Sequence, residues 1–160
     1  MEQILIADLA SPAHGEAIVQ LLDEYASGET GGAAGLSPFA KANLLPELRR
    51  RVGAHAVVAF ADELPAGLAI CFEGFSTFRC KPLLNVHDLV VSSRFRGRGI
   101  GRRLLARTAE LAAGLGCCKI TLEVLEGNAN AQRLYADCGY APYQLDPRMG
   151  RAIFWQKWIE

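Results

Sequence analysis

The chain has 160 residues, 51% hydrophobic and 21% charged, an ordinary soluble composition of a size that suggests one domain with a sizeable core. Its formal net charge is zero, so overall charge gives no support to a general nucleic-acid-binding role. No apolar run is long enough to span a membrane, and Met1-Glu2-Gln3 lacks the basic region of a secretory signal, so a cytoplasmic location is expected.

Gln3 to Ala7 alternates as a first strand. Ser11 is a candidate N-cap and Pro12 the first position of a helix, with Leu9, Ile18, Leu21, Leu22 and Tyr25 forming an apolar stripe that runs to Ala26. The glycine-rich residues 27–35 read as a loop. Ser37-Pro38 repeats the helix-start signal, and a polar helix follows to Arg51, interrupted near Pro46. Ala54 to Ala61 and Gly67 to Thr77 are strands joined through Asp62-Glu63 as a hairpin. Phe72, Phe75 and Phe78 are core or substrate-wall candidates. Leu83 to Val91 is the central strand.

That strand runs into Arg94-Phe95-Arg96-Gly97-Arg98-Gly99-Ile100-Gly101, and a helix begins. Ile100, Leu104, Leu105, Leu111, Ala112 and Leu115 recur at helical spacing, and Gly114 and Gly116 lie where the helix would stop. Glycines let the backbone turn and approach a ligand closely. A helix N-terminus offers unpaired N–H groups and the positive end of the helix dipole. Arg94, Arg96, Arg98, Arg102, Arg103 and Arg107 add to the positive field. The inference is a bound polyanion of pyrophosphate type; a glycine-rich helix start with a solvated basic face is the alternative. The dinucleotide fingerprint G-x-G-x-x-G fails, because its last glycine would fall on Arg102 or Leu104, and the Walker pattern is absent.

Downstream, Lys119 to Leu125 reads as a strand and Asn128 to Cys138 as a short helix ended by Gly139. Tyr140 begins another strand, and Ala152 to Ile159 forms a last one after the loop 146–150. No repeat or linker divides the chain, so residues 1–160 read as a single domain. The architecture is mixed α/β, with helices on both faces of a mixed central sheet. The five cysteines are an odd set without a secretory signal, which argues for reduced thiols. The adjacent Cys117-Cys118 is no C-x-x-C pair, and His14, His55 and His87 are scattered, so no metal site is expected.

The run R-x-x-G-x-G at Arg96 to Gly101 resembles the coenzyme A pyrophosphate loop of the GNAT-type N-acetyltransferases. A second signature of that family, N-x-x-A-x-x-[LF]-Y followed by G-[FY], is matched by Asn128-Ala129-Asn130-Ala131-Gln132-Arg133-Leu134-Tyr135 and Gly139-Tyr140. The element order fits the GNAT fold over nearly the full length. The resemblance implies acetyl-coenzyme A as cofactor and a primary amine as acceptor, on a small molecule such as a diamine, polyamine or amino-acid-like amine. A protein lysine or N-terminus as acceptor, and a non-catalytic domain that only binds coenzyme A, are the alternatives. It further implies backbone pairing of Leu89, Val90 and Val91 with the pantetheine arm, as an added strand would pair. The pyrophosphate would sit on Arg96, Gly97, Arg98, Gly99, Ile100 and Gly101, with Arg102 close by. Asn128, with Ala131 in the same motif, would orient the cofactor arm, Asn128 also being a favoured helix cap. Tyr135 matches the general-acid tyrosine, with aromatic packing as its other role. Homodimers are common in the family.

The acceptor must lose a proton, since an alkyl ammonium has a pKa near about 10.4. His87 has the intrinsic pKa of a base near neutrality, and Asp88 is a carboxylate for amine binding. Strand alternation puts the two on opposite faces unless a bulge intervenes, so one of them is expected to face the acceptor. The diamine and polyamine branch carries an acidic pair at this point; His87 departs from it. Glu29, after the first helix, corresponds in a gapless count to an acidic amine-binding residue of that branch.

Overall fold

The computed structural model describes residues 1–159; residue 160, the last of the expected domain, lies outside the described residues. The chain divides into two compact units, Met1–Leu122 and Glu123–Glu160. The first holds a five-stranded sheet whose spatial order equals its chain order: β1 (Glu2–Ile6), β2 (Ala54–Ala61), β3 (Leu64–Ser76), β4 (Lys81–Val91) and β5 (Ile120–Leu122). Neighbours from β1 to β4 pair antiparallel, whereas β4 and β5 pair parallel. A parallel pair needs a crossover, and α3 (Ile100–Gly114) provides it. Helices α1 (Pro12–Ala26) and α2 (Pro38–Arg50) fill the connection from β1 to β2.

Strands β2 and β3 read as nearly unbroken apolar runs because both of their faces are buried. Val57, Ala59, Ala69 and Cys71 pack on one face with Ile100, Leu104 and Ala112 of α3. Ala56, Val58, Leu68 and Ile70 pack on the other with Ile18 and Leu21 of α1 and Leu48 of α2. Alternating residues thus serve opposite layers, and helices cover both faces, as the element order had implied. Arg103 of α3 also pairs with Glu2 of β1.

Several local expectations change. Ser11 does not cap α1 through its side chain. Asp8 closes the preceding turn instead: its carboxylate accepts the Ala10 N–H at 2.8 Å and its carbonyl accepts the Ser11 N–H at 3.0 Å. Ser37 does cap α2, accepting the Ala40 N–H at 3.1 Å. Helix α2 runs through Pro46 without a break; Pro46 removes one backbone bond, and the packing of Leu44 and Leu48 on either side holds the helix. Phe75 and Phe78 lie outside the core, at 60% and 86% exposure, and neither is among the residues that line the cavity between α1, α2, β3 and β4.

In the second unit, α4 (Ala129–Asp137) is the one α-helix among the described residues. The strands expected from Tyr140 and over 152–159 do not form among those residues. Between the two segments the backbone bond is Ala152 N–H to the Tyr143 carbonyl, at 2.9 Å. Alternation alone does not make a strand; a ladder of partners does.

Candidate active site

The site is built around an irregularity in β4. On β3 the register advances from Ile70 to Cys71, while on β4 it passes from Asp88 to Val86. His87 is the extra residue of a bulge, which changes the phase of the strand. Before it, the even-numbered Leu84 and Val86 join the α3 layer. After it, the even-numbered Val90 joins the α1–α2 layer, and Leu89 and Val91 turn towards α3. The bulge brings His87 and Asp88 onto the same cavity. The expectation that only one of them would face it is therefore corrected.

That cavity has a volume of about 380 Å³ and lies between α1, α2, β3 and β4. Leu22, Leu36, Leu44, Leu48, Ile70 and Phe72 form much of its wall. Phe72 also meets the His87 ring edge-on, with centroids 5.5 Å apart. Burial pushes the Asp88 carboxyl above the usual carboxylate range, against the pull of His87. Tyr25 lines the cavity as well, an assignment the helical stripe alone did not make. Glu29 sits exposed in a short helical turn, Glu29–Gly31, and is not among the lining residues; Gly31 of that turn is.

The far end of β4 offers its edge. The β4–β5 ladder begins at Leu84 with Ile120 and ends at Val86 with Leu122. Asn85 donates its amide to Thr121 Oγ1 at 3.2 Å beside it. Beyond Val86, β4 remains paired with β3 through Leu89, Val90 and Val91. On the β5 side, among the described residues, no strand pairs with these three.

The glycine turn follows directly. Gly97 and Gly99 have φ of +79° and +72°, and a Cβ built on either meets nothing within 4 Å. The left-handed backbone selects glycine, and the bare surface leaves the N–H groups accessible. The bond entering α3 runs from Arg103 N–H to the Gly99 carbonyl, at 3.2 Å, so the N–H groups of Ile100 and Gly101 precede the first bond of the helix. These features fit a pyrophosphate. The arginines divide their work. Arg94 and Arg98 lie over the buried Phe95 ring, at 5.7 and 5.2 Å from its centroid. Arg103 and Arg107 are paired with Glu2 and Glu110. Arg96 contributes charge towards Glu24.

Glu24 is the residue that sequence reasoning missed. From α1 its Oε1 accepts the Ser93 N–H at 2.7 Å, fixing the approach to the glycine turn. An acid on a solvated helix face carries no local signal of such a partner. In the second unit, Asn128 caps α4, its side chain accepting the Ala131 N–H at 3.1 Å. Tyr135 is half-buried on α4, its ring 6.0 Å from that of Tyr140.

Among known families, the acetyltransferase (GNAT) family model matches residues 16–140. A thialysine N-epsilon-acetyltransferase of Caenorhabditis elegans is 29% identical over 133 residues, covering 81% of this chain and 79% of the relative. Of solved structures, a probable acetyltransferase superposes with a TM-score of 0.81 at 19% identity over 99% of both chains. An aminoglycoside N-acetyltransferase in complex with CoA gives a TM-score of 0.73 at 18% identity, covering 98% of this chain and 95% of that one.

Proposed function

The chain belongs to the acetyltransferase (GNAT) family, using acetyl-coenzyme A, and from that premise we propose that it acetylates the primary amine of a small molecule seated in the cavity of α1, α2, β3 and β4. The observation that carries this reading is the His87 bulge, with a carboxyl and an imidazole on one apolar cavity next to the stretch of β4 that, among the described residues, no strand pairs on the β5 side. The cofactor supplies its acetyl group as a thioester. In this reading the backbone of Leu89, Val90 and Val91 holds the pantetheine arm, and the N–H groups from Arg96 to Gly101, with Arg102, hold the pyrophosphate. Asn128 and Ala131 orient the arm, which rests on the motif match.

Asp88 attracts and orients the ammonium, and His87 accepts a proton from it. The amine nitrogen then bonds to the acetyl carbon as the carbon–sulfur bond breaks. Of the two protons the ammonium sheds, one ends on the coenzyme A thiol and one in solvent. Tyr135 donates towards the leaving sulfur, an assignment that rests on its place in the N-x-x-A-x-x-[LF]-Y motif. No acyl-enzyme is required: the thiol of Cys71, a β3 residue in the core shared with α3, is pushed up to about 12 by burial and is unfit as a nucleophile near neutrality. Glu29 belongs to the reading only as an acid at the acceptor's approach.

The family match spans residues on both sides of 122, which supports one functional domain over 1–160. Free thiols at all five cysteines fit a cytoplasmic setting. A homodimer rests on family habit alone. The test is free-thiol release from acetyl-coenzyme A against a panel of small amines, with Tyr135→Phe alongside. Loss of about a hundredfold in kcat with coenzyme A affinity kept supports Tyr135 as the acid. Unchanged kcat removes it from that role.

A further inference from the structure

The lining of the acceptor cavity is chemically lopsided. Its walls are leucine, isoleucine and phenylalanine, and its ionisable lining groups are Asp88, His87 and the phenol of Tyr25. No lysine or arginine is among the described lining residues, so an acceptor's phosphate or carboxylate would meet no permanent cation there. Nor is a second carboxylate. The two acids of α1 next in sequence to the wall residues Leu22 and Tyr25 are engaged elsewhere: Asp23 with Lys41 Nζ at 2.7 Å and the Leu36 N–H at 2.9 Å, and Glu24 with the Ser93 N–H at 2.7 Å.

The position of Asp88 decides which nitrogen it serves. It immediately precedes Leu89, Val90 and Val91, the residues whose edge is available for the cofactor arm. An ammonium held at Asp88 is therefore the one that reacts. Whatever else the acceptor carries must extend along Leu44, Leu48, Ile70 and Phe72. A second ammonium or a phosphate placed there loses its water without gaining a partner of opposite fixed charge. An alkyl or aryl body gains by burial. The cavity's 380 Å³ lies within the range of small-molecule sites, about 300–1,000 Å³.

We propose that the acceptor is a primary monoamine with an apolar or aromatic body and no anionic group, its single nitrogen held at Asp88 and its body against the leucines of α1 and α2. This rests on the reading that the chain acetylates small amines in this cavity. The experiment compares kcat/KM of the full chain with acetyl-coenzyme A for 2-phenylethylamine, putrescine and glucosamine 6-phosphate, read as thiol release and confirmed by mass of the acetylated amine. The monoamine is expected to exceed each of the others by at least about tenfold, the discrimination of an unpaired buried charge. Leu44→Glu, which adds a carboxylate to the wall, is expected to narrow the gap to putrescine by about tenfold. Putrescine or glucosamine 6-phosphate turning over as well as the monoamine overturns the proposal and leaves the acetyltransferase reading standing. No turnover of any of the three, with coenzyme A still bound, overturns the proposal together with the acceptor site on which it rests.

Discussion

Glu24→Ala removes the clasp between α1 and the approach to the glycine turn. Burial on its own would push the Glu24 carboxyl up, but the Ser93 N–H, the Ser92 hydroxyl and the charge of Arg96 outweigh it and hold the group below the usual glutamate range. Hydrogen bonds to charged groups contribute about 1.5–3 kcal/mol. Glu24 is half-buried, which points to the lower end, about 1.5 kcal/mol. That energy holds Ser92 to Arg96 in one arrangement; without it the loop samples others, and the competent fraction falls. Since ~1.4 kcal/mol is a factor of ten, coenzyme A binding is expected to weaken about tenfold. Glu24→Gln keeps the shape and an acceptor but loses the charge, and falls between, at about threefold. The folded pKa is depressed, so the stabilisation is full above the ordinary glutamate pKa and is lost only as pH falls through the depressed value. The gap between wild type and Glu24→Ala is therefore flat around neutrality and closes in acid. Titration calorimetry with coenzyme A measures it. A folded Glu24→Ala variant that binds coenzyme A within about twofold of wild type would refute the reasoning.

Asp62 and Glu63 form the β2–β3 turn with φ of +50° and +65°, a left-handed pair without glycine. Glu63→Gly relieves about 1–2 kcal/mol of strain against the chain entropy of glycine, for a rise in Tm of about 2 °C at unchanged activity, measured by thermal denaturation. Gly67→Ala acts in the opposite direction: its Cβ would lie 2.9 Å from Leu104 Cδ1, 3.0 Å from Ile100 Cγ2 and 3.0 Å from the Val90 carbonyl oxygen. Because the last is backbone of β4, overpacking is expected to cost about 1–3 kcal/mol, and Tm to fall by about 3–10 °C. For Asp88, the raised folded pKa means that an ammonium is bound by the ionised form and expels a proton from the neutral one. Amine affinity then falls as pH drops through that raised value and is flat above it. A pH profile of amine KM for wild type and Asp88→Asn checks this, and an acid limb that persists in the variant belongs to another group.

The elements that could be read from the chain are those with a local cause. Pro12 and the Ser37-Pro38 pair start helices, Gly97 and Gly99 need a left-handed backbone, and the stripe from Ile100 to Leu115 has one buried face. The β4 bulge has no such cause. Leu83, Leu84, Val86, Leu89, Val90 and Val91 are apolar at odd and even positions alike, because both faces of the strand are covered. A strand of that kind carries no phase in its sequence, so a one-residue shift at His87 leaves no trace in the pattern. The 152–159 segment fails for a related reason. Its β-branched and aromatic residues state a preference, and pairing is a long-range property that the preference does not supply.

The bulge also explains how one strand can serve two ligands in the proposed function. Along β4 the cofactor would use main-chain groups from Leu89 to Val91, whose side chains remain committed to the two cores. The acceptor would use the side chains of His87 and Asp88, whose position on the cavity comes from the change of phase. Without the extra residue, Asp88 would keep the alternation of Leu84 and Val86 and point into the α3 layer, where an ionised carboxylate has no partner. With it, the carboxyl opens onto the cavity while Val90, two residues on, stays in the core between α1 and the sheet. In that reading the acceptor nitrogen and the cofactor would be held by consecutive residues of a strand hydrogen-bonded to β3, a rigid placement of the kind that direct transfer requires.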